Sequence, residues 1–488
     1  MVASLLLLSY SRPYRATANP NEWTRLYLAR AMVDRQELSI DEEWGRHGPI
    51  RDWATHGGRR YTDKAPGSSL VAAAAYWSLR VFHAPGDVSM SRLARRARFL
   101  GLILPWCLLL PWWARALGRF TGDLASGRVL ALAHTLATPA FTYQQQFFGH
   151  GLVAMGLAVA LMAAVPRPSR WKLGLAGAAM GFAGLCEYQA LPLLALFVLY
   201  AWAAQGFASA AILTLAAAPW VAALGAYNAV CFGGPFELSY EHLGPTDLAA
   251  IHATGVGGVG WRPMARGLLG VLVNPARGLL YYAPWLALAF AGIWAGVRSA
   301  DRRAALLMTA VVGFSLWFGS AARTWDAGWS IGPRLLVSFL PMWVAAVALA
   351  WARWRAWVPV VFGPLLAVAV VHEVLATWIF PGYPPIFSRP LDHAALPLLR
   401  EGLVAPNLAS DLGMFGVASL LPGVVIVLAA FAVVAVALYR SVAWKWRITA
   451  AAATAGLLIA LHLPTRPPDD YVLRDFLSTA RQVRDPQP

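Results

Sequence analysis

The segments Asn19-Pro-Asn-Glu-Trp23 and Tyr61-Thr-Asp-Lys-Ala-Pro-Gly67 lie in a polar stretch, residues 16–67, near the front of a chain that is otherwise mostly apolar. A chain that only crosses lipid has no need of such a stretch. Loops that carry binding or catalytic residues are held by a rigid scaffold. A glutamate and a lysine placed just before long apolar runs therefore predict chemistry at the membrane surface.

The composition indicates whether the rest of the chain lies in water or in a membrane. Of 488 residues, 58% are hydrophobic and 13% are charged, and the mean hydropathy is +0.53. So few charges cannot cover a soluble surface, which predicts an all-α polytopic membrane protein. The net charge of +16 comes largely from arginines in short clusters between apolar runs, where basic residues set topology and contact lipid headgroups. Nucleic acid is therefore not an expected partner.

Apolar runs that are long enough to cross a ~30 Å hydrocarbon core, or nearly so, recur along the chain. They lie at 98–116, 128–146, 151–166, 172–186, 188–203, 207–231, 278–297, 304–321, 333–352, 357–379, 415–439 and 448–463. With residues 1–10 as a truncated first helix, they predict about thirteen transmembrane helices. Only Cys107, Cys186 and Cys231 occur, each in or beside an apolar run, so no disulfide framework or zinc spacing is available.

The run at 68–84 decides the topology. If it lies in the interface without crossing, the basic loops after 98–116, 151–166, 278–297, 333–352 and 415–439 share one side, which the positive-inside rule assigns to the cytoplasm. The N-terminus is then cytoplasmic and the site extracytoplasmic. We expect residues 1–97 to form the first helix and a catalytic first outer loop with interfacial helices, and 98–463 a multi-span domain with outer loops 233–277, 322–332 and 380–414. Residues 464–488 form a short outer tail.

Glu22 and Lys64 are the first candidate site residues. Glu22 falls in the first turn of a predicted surface helix, because Trp23, Leu26 and Tyr27 recur at helical spacing. It is either a partner of the helix dipole or a general base that activates a hydroxyl. Lys64 is held in a turn by Pro66 and Gly67, and it either meets a phosphate or extends to lipid headgroups. Arg59 precedes it and serves either purpose.

Two further loops concentrate polar and aromatic residues. His150 ends Thr142-Tyr-Gln-Gln-Gln-Phe-Phe-Gly-His150, where a structural and a functional role both stay open. Arg323-Thr-Trp-Asp-Ala-Gly-Trp-Ser-Ile-Gly-Pro-Arg334 suits a sugar or phosphate pocket, since guanidinium groups bind phosphate bidentately. The alternative is an aromatic belt with arginines reaching the headgroups. Weaker signals are Glu187, which interrupts two apolar runs, and Tyr240-Glu241-His242. No Walker loop, dinucleotide fingerprint, zinc helix or G-x-S-x-G elbow occurs.

The order of these parts resembles the GT-C fold glycosyltransferases, in particular the branch of protein O-mannosyltransferases and lipid A aminoarabinose transferases. Asn21-Glu22 is similar to the acidic signal of their first loop, although asparagine replaces aspartate. Tyr61-Thr-Asp-Lys64-Ala-Pro66 is similar to their Lys-Pro-Pro segment. Phe148-Gly-His150 stands where those enzymes carry an acidic residue, and Gly328-Trp-Ser-Ile-Gly-Pro-Arg334 looks like a stretch of uncharacterised bacterial members.

The resemblance implies a multi-pass enzyme of the bacterial inner membrane that moves a sugar from a polyprenyl-phosphate donor to a hydroxyl of a lipid, glycan or protein, with inversion. It implies Glu22 as base, Lys64, Arg59 and Arg334 at the donor phosphate, and His150 as a positioning group. Tyr61, Asp63, Trp325, Asp326 and Trp329 would line the sugar or acceptor pocket. No cofactor is expected, although a divalent metal stays open because some members use one.

Two other classes remain as alternatives. A lipid-linked oligosaccharide flippase or other secondary transporter would use the same basic residues to guide a phosphate. It would need ionisable residues deep in the spans, where the sequence has few beyond Glu187 and the pair His372-Glu373. A membrane scaffold without catalysis would leave the outer-loop motifs unexplained.

Overall fold

The computed structural model describes residues 4, 6–7, 19–165, 168–299, 302–380, 382–439, 444–463 and 470–484. Most of the predicted first helix, residues 1–10, lies outside the described residues. The described chain is helical apart from one two-stranded hairpin. The all-α polytopic class is confirmed.

The first outer loop is a folded unit of short helices. It contains the helices Pro20–Arg35, Asp41–His47 and Gly67–Arg80, a single turn at Pro85–Asp87, and the helix Met90–Arg98. The strands Ala54–His56 and Arg59–Tyr61 pair antiparallel. Gly67–Arg80 has 14 residues, so at about 1.5 Å per residue it is too short to cross a ~30 Å core. It packs on Pro20–Arg35 and Arg170–Cys186.

Long apolar helices occupy the predicted runs. Among the described residues, six are long and apolar enough to cross a membrane: Met90–Thr121, Phe207–Phe232, Arg302–Ala321, Arg334–Arg353, Val358–Ile379 and Gly416–Tyr439. Shorter apolar helices are Gly149–Ala164, Ala190–Gln205 and Pro284–Gly296. The helices Leu124–Leu136, Arg170–Cys186 and Trp444–Leu461 lie at further predicted runs. The number of about thirteen spans stays a prediction.

Small residues allow these helices to pack closely. Every residue from Leu340 to Trp351 is buried, so this helix lies at the centre of the bundle. An added Cβ at Gly292 would lie 1.8 Å from the Ala346 carbonyl oxygen, and one at Gly177 would lie 2.1 Å from that of Leu213. Backbones that approach this closely are typical of helix contacts within membranes.

The loops between the spans carry short helices of their own. They are Ala140–Tyr143, Ser239–His242, Thr246–His252, Ala265–Val273 and Leu279–Tyr282, followed by Leu391–Ala395, Leu396–Arg400 and Leu408–Asp411. The tail forms a longer helix, Asp470–Arg484. Its Phe476 is buried against the rings of Phe380, Tyr383 and Phe387. The tail is therefore docked on the loop before the last two spans.

A chain of polar contacts joins the helix Val358–Ile379 to the end of the helix Trp444–Leu461. Nδ1 of His372 lies 2.7 Å from the Tyr281 carbonyl oxygen, and its Nε2 lies 3.0 Å from Nε2 of His462. The other ring nitrogen of His462 contacts the carboxylate of Asp392, which also accepts from Arg389 at 2.8 Å. Residues far apart in the sequence are thus connected within the helical bundle.

Candidate functional site

Arg25 ties the first outer loop to the membrane helices. Asn19 caps the helix Pro20–Arg35, so Arg25 falls one turn in, and only 1% of it is exposed. Its Nε donates to Ser68 Oγ at 2.8 Å, its Nη2 to Glu187 Oε1 at 2.7 Å and its Nη1 to the side chain of Asn21 at 2.5 Å. A buried guanidinium with all of these partners fixes the start of the helix against Glu187.

Glu187 lies between two membrane helices. It follows the helix Arg170–Cys186 and comes next to the start of the helix Gly149–Ala164. A Cβ on Gly149 would lie 2.2 Å from its Oε1, so glycine at position 149 is what allows the carboxylate to approach. Glu187 is 7% exposed, so its carboxylate is turned into the protein.

Lys64 lies between two carboxylates. Its Nζ is 2.6 Å from Asp63 Oδ2 and 3.0 Å from Asp52 Oδ2, and 5.8 Å from the ring centre of Tyr240. Asp63 is held in place by its own carbonyl, which accepts from Ser239 Oγ at 2.7 Å. Its second carboxylate oxygen, Oδ1, is buried without a hydrogen-bond partner among the described residues. That oxygen is an unused acceptor in a site without bulk water.

The pKa values of this trio are displaced from their ordinary values. Burial raises the pKa of Asp63 to about 6, the ammonium of Lys64 opposes this change, and the charge of Asp52 adds to it. Burial also acts to raise the pKa of Asp52, but Lys64 outweighs it, so the pKa is lowered. Burial lowers the pKa of Lys64, and the two carboxylates outweigh it, so the pKa is raised. Near pH 7, Lys64 is charged and Asp63 is close to its titration range.

Arg334 and His150 complete the cluster. Cζ of Arg334 lies 5.6 Å from the ring centre of Phe148, and its Nε is buried without a hydrogen-bond partner among the described residues. Nδ1 of His150 lies 3.3 Å from Nε2 of Gln189 and 3.5 Å from Ser338 Oγ. The charged groups that act on His150 are Glu187, Arg334, Arg25 and Lys64. We call Arg25, Asp52, Asp63, Lys64, His150, Glu187 and Arg334 the Lys64 cluster.

The carboxylate of Glu22 is held in a buried ion pair with Arg98. Its two carboxylate oxygens accept from Nε and Nη2 of Arg98 at 2.6 and 2.5 Å, and Oε1 also accepts from the Phe147 backbone N–H at 2.9 Å. Only 1% of Glu22 is exposed. A carboxylate whose oxygens are all engaged in a buried bidentate pair is not a free base. We therefore expect Glu22 to join the first outer loop to the helix Met90–Arg98 and to the backbone of Phe147 rather than to act as the base.

Arg59 and Tyr61 lie on the hairpin rather than in the cluster. Arg59 is exposed at the beginning of the second strand, and its role at the donor phosphate stays a prediction. The ring of Tyr61 is buried against Phe232, with ring centres 5.7 Å apart. Among the described residues neither side chain contacts Lys64.

The loop before Arg334 is held by Arg277. This guanidinium is 1% exposed and donates to the carbonyl oxygens of Asp326, Gly328 and Tyr383 at 2.8, 2.9 and 2.9 Å. The Asp326 side chain accepts from the Gly328 N–H at 2.9 Å and so closes a turn. Trp325 packs against Gly270, and Trp329 is 52% exposed and 6.3 Å from the Phe476 ring. These three predicted pocket residues show no contact with the Lys64 cluster in the described part of the chain.

Three residues that hold the site together were not predicted from the sequence, which gives only weak indications of them: Arg25, Asp52 and Arg277. Arg25 follows Asn21 by four residues, the spacing at which side chains on a helix meet. Asp52 precedes Trp53-Ala-Thr-His-Gly-Gly-Arg-Arg-Tyr61, where Gly57-Gly58 is a two-residue hairpin turn. The only indication for Arg277 in the sequence is its position shortly after a helix. No group of three or more histidine, cysteine or acidic residues positioned to hold a metal is found among the described residues.

The fold and the cluster together define a multi-pass helical membrane protein with a buried set of carboxylates and cations at the ends of its helices. No protein-family model and no curated protein matches the chain. Two crystal structures of ArnT from Cupriavidus metallidurans, one bound to undecaprenyl phosphate and one in the apo state, are similar to it, each with 16% sequence identity and a TM-score of 0.49. The similarity covers 94% of this chain and 75% and 74% of those chains.

At this identity and TM-score the likeness decides nothing about the activity of this chain. The chemistry has to be inferred from the Lys64 cluster itself.

Proposed function

We propose that this protein is a membrane glycosyltransferase that moves a sugar from a polyprenyl-phosphate donor to an acceptor hydroxyl on a lipid, glycan or protein outside the cytoplasm. The observation that carries the proposal is Asp63 Oδ1, a buried acceptor with no partner among the described residues, beside the ammonium of Lys64, with Arg334 near enough to act on the neighbouring Asp52. A proton acceptor next to cations is what transfer from a phosphate requires.

Asp63 replaces Glu22 as the proposed general base. As the acceptor oxygen bonds to the anomeric carbon, its proton moves to Asp63 Oδ1. The bond from the anomeric carbon to the phosphate oxygen breaks, and its electron pair leaves with the polyprenyl phosphate. Attack from the face opposite the phosphate inverts the anomeric centre. A base whose pKa is about 6 is mostly ionised at neutral pH and still binds a proton well.

Arg334 and Lys64 have different roles in the proposed reaction. Arg334 has a buried Nε without a partner among the described residues, so it is suited to donate a hydrogen bond to one oxygen of the phosphate. Lys64 stays charged between its carboxylates and offsets the charge that develops on the leaving group. His150 lies beside Gln189 and Ser338 and would orient donor or acceptor by hydrogen bonds.

Transfer from radiolabelled polyprenyl-phosphate hexoses and pentoses tests the base. Purified protein in detergent, with bacterial membrane extract as acceptor, should form labelled product. Asp63→Asn should lower the rate by about 10²–10⁴-fold, because it removes general-base catalysis. The matched control is Glu42→Gln, an exposed carboxylate of the same loop, which should keep the wild-type rate. Full activity in Asp63→Asn would contradict the assignment.

Binding of polyprenyl phosphate tests the cation. Arg334→Met should weaken binding roughly 10- to 100-fold, the range for a lost hydrogen bond to a charged group. Arg323→Met, which removes an exposed arginine of the same loop, should leave it unchanged. If instead the wild-type protein moves labelled lipid across liposomes without forming product, it is a transporter, and the proposed reaction is wrong.

A further inference from the structure

Asp52 and Asp63 lie just beyond the open end of the hairpin, and both carboxylates contact Lys64. Ala54 pairs with Tyr61, Thr55 with Arg60 and His56 with Arg59, around a turn in which Gly57 and Gly58 both have positive φ, 57° and 77°. At each step toward the open end of the hairpin, the residue number falls by one on the first strand and rises by one on the second. Extended two residues beyond the last observed pair, Ala54–Tyr61, this register would set Asp52 opposite Asp63.

The backbone holds Asp52 in this position. The carbonyl oxygen of Trp53 accepts from the Gly244 N–H at 3.1 Å, and Ala54 forms a bridge with Leu243. A Cβ on Gly244 would lie 2.3 Å from the Trp53 ring. The segment before the first strand is therefore fastened to the loop that follows the helix Phe207–Phe232, and Asp52 cannot drift away from Lys64.

Two carboxylates opposite each other repel unless a cation lies between them. Lys64 is that cation, with Nζ 2.6 Å from Asp63 and 3.0 Å from Asp52. The two acids differ in exposure, since the side chain of Asp52 is 19% exposed and that of Asp63 is 3% exposed. The ammonium of Lys64 is thus paired with a partly hydrated carboxylate, Asp52, and with a fully buried one, Asp63. With both carboxylates ionised, the three side chains carry one net negative charge.

We infer that Asp52 is a positioning residue for the transfer reaction: it holds the Lys64 ammonium when Asp63 becomes protonated, and its charge strengthens the affinity of Asp63 for the acceptor's proton. The inference rests on the proposed role of Asp63 as base. During transfer the proton from the acceptor neutralises Asp63, so the trio changes from one negative charge to none. Lys64 then has one carboxylate partner in place of two, at the moment when the leaving phosphate gains charge.

The other groups around Asp63 do not substitute for Asp52. Of the carboxylates, Asp52 is the one that pushes the pKa of Asp63 upward, while Lys64 and Arg25 push it downward. Glu187 is already paired with Arg25 at 2.7 Å. The titratable and charged groups that face the trio of Asp52, Asp63 and Lys64 from the packed elements are Arg25, His150, Glu187, Tyr188, Tyr227, Tyr240, His252 and Arg334.

An infrared titration of the full-length protein tests the inference without any need for turnover. The stretching band of a protonated carboxyl group that is missing in Asp63→Asn belongs to Asp63, and its intensity against pH gives a midpoint. Asp52→Asn should lower this midpoint by about one pH unit, the size of the effect of a nearby like charge. Asp52→Ser, a second neutral variant, should do the same, whereas Asp52→Glu should restore the wild-type midpoint.

The pH profile of transfer is the second readout. Asp52→Asn should move the acid limb of kcat/KM to lower pH and reduce the plateau rate, because a weaker base removes the proton less effectively. The control Glu42→Gln should change neither. An unchanged infrared midpoint in both neutral variants would overturn the inference. If wild-type protein forms no product, the proposed function fails, and the infrared titration still decides the role of Asp52.

Discussion

Arg98 and Glu22 form a buried ion pair whose loss should cost stability rather than remove a proton acceptor. Glu22→Gln leaves the Arg98 guanidinium buried without a counter-charge, and breaking such a pair costs about 3–5 kcal/mol. We expect a lower melting temperature in detergent and loss of folded protein at growth temperature.

The double variant Glu22→Gln/Arg98→Met provides the control for this prediction. It removes both charges, so it should be more stable than Glu22→Gln alone, since an apolar replacement of a buried pair is often tolerated. If Glu22→Gln folds with wild-type stability and loses all transfer, Glu22 is the base after all, and Asp63 is not.

Single residues show how far the site was predictable. Lys64, His150 and Arg334 were identified from turns and helix starts, because Pro66, Gly149 and Pro333 mark those positions in the sequence. Glu22 was placed correctly in the first turn of a helix, but its buried ion pair was not foreseen. Its partner Arg98 lies 76 residues away, and local spacing carries no information about a contact at that distance.

At the level of elements, the contact between the first outer loop and the membrane helices depends on Gly67. An added Cβ would lie 2.7 Å from the carbonyl carbon of Leu185 and 2.8 Å from the backbone nitrogen of Cys186. Backbone atoms cannot move aside as a side chain can. Gly67→Ala should therefore destabilise the protein by about 1–3 kcal/mol.

Thermal unfolding in detergent measures this cost. Gly86→Ala is the matched control, because nothing lies within 4 Å of a Cβ at that position. It should leave the midpoint unchanged or raise it slightly, as alanine restricts the unfolded chain. Equal midpoints for the two variants would mean that the helix Gly67–Arg80 does not press against Leu185 in solution.

Elements differ in how well the sequence predicts them. Long apolar runs such as 207–231 and 357–379 were located to within one residue at each end, since twenty or more apolar residues have few other solutions than a helix. The run at 128–146 was too long by ten residues: its helix ends at Leu136, ahead of Pro139. The hairpin at 54–61 escaped notice because its three-residue strands are shorter than any periodicity test requires.

At the level of the whole molecule, the direction of insertion is a prediction from charge. The positive-inside rule sets the hairpin outside and the loop before the helix Arg170–Cys186 inside. Thr55→Cys and Arg170→Cys both replace exposed residues, and Cys107→Ser removes the native cysteine that is partly exposed. In intact spheroplasts a membrane-impermeant maleimide should label position 55 and spare position 170 until the cells are lysed. The opposite pattern would place the Lys64 cluster in the cytoplasm.

The contact between His372 and His462 makes one membrane helix depend on a segment that is synthesised later. The two rings are separated by 90 residues along the chain, so the ribosome must make and release the helix Trp444–Leu461 before Nε2 of His372 finds its partner. Until then Nε2 of His372, buried in an apolar helix, lacks the hydrogen bond that it forms in the folded protein, which is unfavourable. The helix Val358–Ile379 therefore reaches its final set of hydrogen bonds only after the helix Trp444–Leu461 has packed against it.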